Sequence, residues 1–448
     1  LLEEVCDLVE LPEAILCRIP EEALDLPEPI LITPMKVHQR YIPLRENDGK
    51  LSRWFVAVAN GNHDNTGKEL IRAGNERVLT ARLRDAKYFW DTDTRTSLEE
   101  FAKRLSSVMF HQQLGTVADK IERLKHLYRK LRTHLPNTDE KEMLRVLQLM
   151  KADLTTQMVF EFDSLEGVVG MLYAQKEGVP EPIAQAILEH RLPRRAGDEL
   201  PTSSLGTVAG LLDRFDTLAG YFGIGVRVKG TSDPYALRRN TLAILAIVRS
   251  QGLDIDLSTC FRAAIENYGR ADWDTESVLT ALLGFFADRM EALAREEGYP
   301  YDYVAAALAA HGHRPVAFWK CLGSLQQLDA TAVQELAEQA KRMQRIVKEP
   351  SPKVDPSLLN EYDKTLFELS ERGSVQVKRL TDGCAFDAAL HTVLEWAPII
   401  NTYFEKVLVN EENEAIRRNR HALLRDTLAA LTLPADFTKI EKKEVSAA

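Results

Sequence analysis

From Ser97 onward the apolar residues recur at helical spacing, and that periodicity restricts the chain to a largely α-helical fold. Ser97 and Glu100 have the spacing of a capping box, and Leu98, Phe101, Leu105 and Val108 then fall on one side of a helix. Upstream the pattern changes. Ile30-Leu-Ile-Thr33 and Trp54-Phe-Val-Ala-Val58 are short β-rich runs separated by turn-forming Arg45-Glu-Asn-Asp-Gly49, which predicts an α+β segment over residues 1–95. Lys68 to Tyr88 returns to helical spacing, with basic residues outnumbering acidic ones as on a solvated helix face.

Two stretches cannot be regular. Leu192-Pro-Arg-Arg-Ala-Gly-Asp-Glu-Leu-Pro201 reads as a loop joining helices inside one domain. Lys348-Glu-Pro-Ser-Pro-Lys-Val-Asp-Pro-Ser357 is a hinge or linker, because three prolines lack amide donors and restrict the residues before them. No internal repeat and no sustained heptad is visible.

Charge and cysteine usage narrow the function classes. The 448 residues carry 57 Lys and Arg against 67 Asp and Glu, a net charge of −10, so any polyanion must meet a local basic patch. Apolar stretches such as Leu242 to Val248 fall far short of the ~18 residues a membrane span needs. The start Leu1-Leu-Glu-Glu has neither a basic region nor an apolar run, so no signal peptide is expected and an internal fragment is. Five scattered cysteines without Cys-x-x-Cys fit a reducing cytoplasm and neither a disulfide framework nor a zinc ribbon.

The candidate chemistry is sparse. Gly223-Ile-Gly225-Val-Arg227 is too short for a dinucleotide or phosphate loop and reads as turn glycines. His311-Gly-His313-Arg314 has no partner motif, and helix-end histidines account for it. Lys151-Ala-Asp153 with the later Asp213 has the layout of a His-Asp metal hydrolase, but Ala152 stands where the histidine ligand belongs and supplies no donor. A degenerate HD site at Asp153 and Asp213 is therefore expected, without metal. Asp233-Pro-Tyr-Ala-Leu-Arg238-Arg239 places two guanidinium groups at a helix start, against the macrodipole, which suits phosphate or carboxylate pairing. Near the C-terminus Arg417, Arg418, Asn419 and Arg420 share one helix, with Ile416, Leu423 and Leu424 available to a core. Guanidinium planes stack on unpaired bases and Asn both donates and accepts, a combination suited to single-stranded RNA. Neighbouring Glu405, Glu411, Glu412 and Glu414 give the competing reading of a solvated, internally paired face.

Six ordered segments resemble the beta subunit of bacterial heterotetrameric glycyl-tRNA synthetase. They are Ile32 to Tyr41, Gly74 to Phe89, Lys151 to Phe162, Asp216 to Gly225, Lys229 to Arg239, and Tyr403 to Val409 leading into Arg417-Arg-Asn-Arg420. The likeness runs along essentially the whole chain, though the family's usual N-terminal stretch is absent and upstream domains are expected to lie outside it. It implies a mainly α fold in which residues 96–330 form an HD-like helical domain near the tRNA acceptor end. Residues 331–448 would then form a C-terminal helical anticodon-binding domain. It also implies no catalytic site in this chain, since the alpha subunit carries the ATP- and Mg-using active site. Two alpha and two beta subunits with glycine tRNA are the implied partners. Arg238, Arg239, Lys341, Arg342, Arg417, Arg418, Asn419 and Arg420 become candidate tRNA contacts. The rival readings are a metal-dependent HD-type nucleotide phosphohydrolase and a purely structural scaffold.

Overall fold

The structure, a computed structural model, describes residues 2–228, 233–347 and 353–441. It is mainly helical with a small N-terminal sheet. The chain divides into two compact units, Leu1–Gly220 and Tyr221–Ala448. Among the described residues no helix is long and apolar enough to cross a membrane.

In the first unit, strands β1 (Pro12–Arg18), β2 (Ile42–Arg45) and β3 (Leu51–Asn60) form an antiparallel sheet in the order β1-β3-β2. β2 and β3 make a hairpin in which Arg45 pairs with Leu51, and Gly49 takes the left-handed conformation (φ 86°) that the intervening turn requires. The expected strand at Ile30–Thr33 is a helix instead, Glu28–Thr33. Pro27 and Pro29 fix φ at its start, and the helix buries Ile30 and Leu31, so position in the fold overrides the β-branched composition.

Helix Asn65–Asp93 packs on β1. Arg72 Nε donates to the Leu16 carbonyl at 2.8 Å, and the Arg18 amide donates to Glu76 at 2.8 Å. Most of this helix's basic side chains are partnered, Arg82 by Glu161, Arg84 by Glu22 and Lys87 by Asp91. At the foot of β1, Glu13 meets Lys68 and His63, each at 2.8 Å, and those two bonds hold its carboxyl down at about 2. A carboxylate held below its unfolded value stabilises the fold above pH ~4.5, an advantage lost as pH falls toward the folded value. Wild type should therefore melt above Glu13→Gln at pH 6, and the gap should close between pH 4.5 and about 2. Calorimetry across that range checks it, and a gap independent of pH would contradict it.

Ser97 caps helix Leu98–Arg104, its side chain accepting from the Glu100 amide. Leu98, Phe101 and Leu105 are buried, as their spacing predicts. The loop near residues 192–201 joins helices Glu181–Glu189 and Ser204–Gly223, the latter belonging to the first unit through residue 220. Arg214 holds this loop in place. It is buried, and its guanidinium donates to the carbonyls of His190, Gly210, Arg191, Leu192 and Pro193 at 2.9 to 3.2 Å.

The second unit is helical throughout its described residues. Gly225, at φ 82°, follows helix Ser204–Gly223, and Arg227 donates to the Phe222 carbonyl at 3.2 Å, so this glycine pair is a helix-ending turn. The C-terminal part packs helices Ala330–Ile346, Glu361–Asp382, Ala397–Lys406 and Glu414–Leu431 around Leu366, Ile400, Leu423 and Leu424. Of the expected linker, residues 348–352 lie outside the described residues. Asp355 is tied down, with its amide donating to Asn419 Oδ1 at 2.6 Å and its carbonyl accepting from Asn419 Nδ2 at 3.0 Å.

Candidate nucleic-acid interface

Helix Ala330–Ile346 starts at Asp329, whose side chain accepts from the Ala332 amide, and buries Val333, Leu336, Ala340 and Met343 along one face. That face fixes where the polar positions point. Gln339, Lys341, Arg342 and Arg345, with Asn401 and Phe404 from helix Ala397–Lys406, line an open groove of about 820 Å³. The Arg342 guanidinium carbon lies 4.0 Å from the centroid of the Phe404 ring. A flat cation on an aromatic face is held by the ring quadrupole and still presents its donors. Lys341 reaches the Ile440 carbonyl, and Arg345 Nε donates to the Lys341 carbonyl at 3.2 Å. Among the described residues no carboxylate pairs with Lys341, Arg342 or Arg345, although Glu335 and Glu338 also line the groove. The arrangement offers a stacking cation, further positive charge and four side-chain amides, Gln334, Gln339, Gln344 and Asn401, which together suit an unpaired nucleotide.

Arg238 and Arg239 fall in the first turn of a helix, as expected. Helix Leu237–Ser250 begins after Ala236, which takes a left-handed conformation (φ 55°). Asp233 supplies the anion at its N-terminus, accepting from the Leu237, Arg238 and Arg239 amides at 2.7, 3.1 and 3.3 Å. This carboxylate offsets the unfavourable placement of two cations against the macrodipole. Arg239 is exposed, whereas Arg238 is half-buried. Residues 229–232 of the same motif lie outside the described residues.

The C-terminal arginine row is split. Arg418 projects from the surface and pairs with Glu414 at 2.7 Å, and Arg417 donates to the Glu411 carbonyl at 3.1 Å. Asn419 and Arg420 do not project; both are buried, at 3% and 7% exposure. Arg420 meets Asp363 at 3.3 Å and Glu411 at 3.1 Å, and donates to the Leu408 carbonyl at 2.9 Å. Asp363, fully buried, also accepts from the Tyr403 hydroxyl at 3.0 Å. Arg420 sits one helical turn from both Ile416 and Leu424, so it shares the inward stripe and must meet a carboxylate there.

Asp153 and Asp213 lie in a buried charged cluster of the first unit. Lys151 Nζ is 3.0 Å from Asp213 and 3.7 Å from Glu166. Lys120 Nζ is 3.0 Å from both Asp213 and Asp216, and Arg123 Nε donates to Asp216 at 2.8 Å. Burial raises the Asp213 carboxyl, but Lys120 and Lys151 outweigh it and hold the group well below the usual carboxylate range. Asp153 is oriented differently, accepting from the Gly167 and Gly170 amides at 2.6 and 3.2 Å. Burial, reinforced by Glu166, pushes it up to about 6. His190 is buried nearby with its Nδ1 against the Ile187 carbonyl, and burial drives its pKa well down. Two ammonium groups thus engage the carboxylate that a divalent ion would need, and among the described residues no group of three or more His, Cys, Asp or Glu could hold one.

Sequence reasoning missed Lys120, although a lysine between Val117, Ile121 and Leu124 on one helical face was a legible sign of a buried cation. It also missed Gln339, Asn401 and Phe404, for which no local signal exists. Phe160 carries no such signal either. It is 89% exposed beside a second open groove of about 570 Å³ that Arg104 and Thr155 also line.

Comparison with known proteins agrees along the whole chain. A family model described as glycyl-tRNA synthetase beta subunit matches residues 1–309. The glycine--tRNA ligase beta subunit of Clostridioides difficile (strain 630) is 36% identical over 447 residues, covering 99% of this chain and 64% of that protein. Its counterpart in Desulforudis audaxviator (strain MP104C) is 38% identical over 446 residues, covering 98% and 64%. The chain therefore spans about 64% of the length of these curated relatives.

Proposed function

Because the chain belongs to the glycyl-tRNA synthetase beta-subunit family, we propose that it binds glycine tRNA and positions it for aminoacylation at an active site carried by the alpha subunit. In this reading the ligase is a cytoplasmic assembly of two alpha and two beta subunits, and ATP and Mg belong to the alpha subunit. Residues 96–330 act as an HD-like domain toward the acceptor end, and residues 331–448 as an anticodon-binding domain. The observation that carries the reading is the groove in which Arg342 lies on Phe404 beside Lys341 and Arg345, without a paired carboxylate among the described residues. Exposed Arg239 and Phe160 are further surfaces for phosphate and base. Arg418, exposed and paired with Glu414, and half-buried Arg417 are the candidates left on this helix, whereas Asn419 and Arg420 serve the fold that presents them.

The phosphohydrolase reading is disfavoured by Lys120 and Lys151, whose ammonium groups engage Asp213 where a catalytic cation would need it. A pure scaffold gives no reason for a guanidinium stacked on an aromatic ring in an open groove with no carboxylate paired to it among the described residues.

Binding of glycine tRNA to this chain, measured at 50 and 200 mM salt, tests the proposal. Phosphate contacts predict a steep loss of affinity as salt rises. Arg342→Ala should weaken binding by about 1 to 3 kcal/mol, the worth of one stacked base. Absent binding, or an affinity indifferent to both salt and Arg342, would favour the scaffold. Purified alpha subunit should glycylate tRNA poorly alone and recover activity with a beta subunit whose Arg342 is intact.

A further inference from the structure

The second open groove lies wholly within the first unit, and one side chain of its lining is unusual for a protein surface. Phe160 is 89% exposed, on helix Gln157–Glu161, whose Met158 and Val159 are buried. A phenyl ring left in water beside a groove carries a cost that a ligand covering it removes. The charges of the lining narrow the ligand. Glu161 is already paired with Arg82 at 3.1 Å. Arg104 is exposed, its guanidinium carbon lies 4.8 Å from the centroid of the Phe101 ring, and among the described residues no carboxylate pairs with it. The hydroxyls add no donor, since Ser107, Thr155 and Thr156 spend their hydrogens on the carbonyls of Arg104, Phe101 and Asp153 at 2.7 to 2.9 Å. Of the lining side chains, Arg104 and the exposed Gln157 are left to donate, and only Arg104 does so with a charge.

A ligand with a flat aromatic face and an attached anion suits this combination, and a nucleotide is such a ligand. Its base must be unpaired, because bases inside a duplex already stack on their neighbours and offer no free face. We propose that this groove is a second nucleic-acid site, in which an unpaired base stacks on Phe160 while its phosphate meets Arg104. This rests on the RNA-binding reading above and deepens it. The first unit holds single-stranded RNA by its own aromatic and its own cation, without Arg342 or Phe404, and it discriminates against duplex.

Fluorescently labelled oligoadenylate is the probe, free or as a duplex with oligouridylate, measured on the full chain carrying Arg342→Ala so that the other groove is silenced. Adding Phe160→Ala should weaken single-strand binding about tenfold or more. Phe160→Leu keeps apolar bulk without a π face and should lose nearly as much, whereas Phe160→Trp should bind at least as tightly as the parent. Arg104→Ala should make the dependence of log affinity on log salt shallower by about 0.7. Duplex binding should be indifferent to the three Phe160 substitutions. The ring is exposed, so melting temperatures measured alongside should match the parent's. Single-strand affinity unchanged by Phe160→Ala, or fully retained by Phe160→Leu, overturns the site, and the RNA-binding reading stands if glycine tRNA still binds in an Arg342-dependent way. Phe160→Ala that releases the alpha subunit but leaves RNA affinity intact also overturns it, in favour of a protein partner. A wild-type chain that binds neither oligoadenylate nor glycine tRNA overturns the underlying reading instead.

Discussion

Asp363→Ala should destabilise the C-terminal unit by about 3 to 5 kcal/mol, the range found when one partner of a buried ion pair is removed. The side chain is fully buried and receives Arg420 Nε at 3.3 Å, the Tyr403 hydroxyl at 3.0 Å and, at Oδ2, the Asn360 amide at 3.1 Å. Truncation strands a guanidinium whose remaining partners are the Leu408 carbonyl and Glu411. It also removes half of the capping box that starts helix Glu361–Asp382. Arg420→Met should cost a similar amount, and Asp363→Leu with Arg420→Met should recover much of the loss, because an apolar pair leaves no orphaned charge. Denaturant titration of the four proteins decides the matter. A loss below about 1 kcal/mol for Asp363→Ala would mean that the pair is not desolvated as the geometry requires. The prediction also changes how an Arg420 variant is interpreted, since weakened RNA binding there would follow from lost structure, whereas at Arg417 or Arg418 it would report on contact.

Asp216→Ala should have an effect of the same order in the first unit. Lys120 and Arg123 both converge on this carboxylate, at 3.0 and 2.8 Å, and all three side chains are removed from solvent. Losing it leaves Lys120 with Asp213, the Asp213 carbonyl and Thr217, while Arg123 keeps the Leu114 carbonyl. Asp216→Asn preserves the shape and removes the charge, so it separates packing from electrostatics. It should lose most of what Asp216→Ala loses if the ionic pairing dominates. Near-wild-type stability for both variants would show that the lysine and arginine reach water. Chelators and added Mn should leave the melting temperature of the wild type unchanged, which a metal-dependent hydrolase would not tolerate.

The helical class was legible because apolar periodicity reports on a face, and the turn at Arg45–Gly49 because Asn, Asp and Gly cluster there; the strand Ile42–Arg45 that precedes it was not. Ile30–Thr33 misled because β-branched composition was weighed above two prolines that preset a helical start. Arg420 was misread for a reason that can be corrected. Ile416, Arg420, Leu423, Leu424 and Thr427 follow one stripe, and treating the arginine as surface ignored its place on it. Its carboxylate, 57 positions away, could not be found from spacing. The groove was less accessible still. Gln339 and Asn401 are 62 positions apart and meet only because two helices pack side by side. The layout of Asp153 and Asp213 was visible, and Lys151 stands beside it in the sequence, but spacing does not show that its ammonium group, with that of Lys120 from a helix beginning at Val117, turns onto Asp213.

The positive charge at that centre is covalent. A cluster held together by a bound metal ion would depend on cellular supply of that ion and could be emptied by starvation or sequestration. Here the counter-charge is synthesised with the polypeptide in fixed ratio to its carboxylates, so the region is complete as soon as the chain has folded.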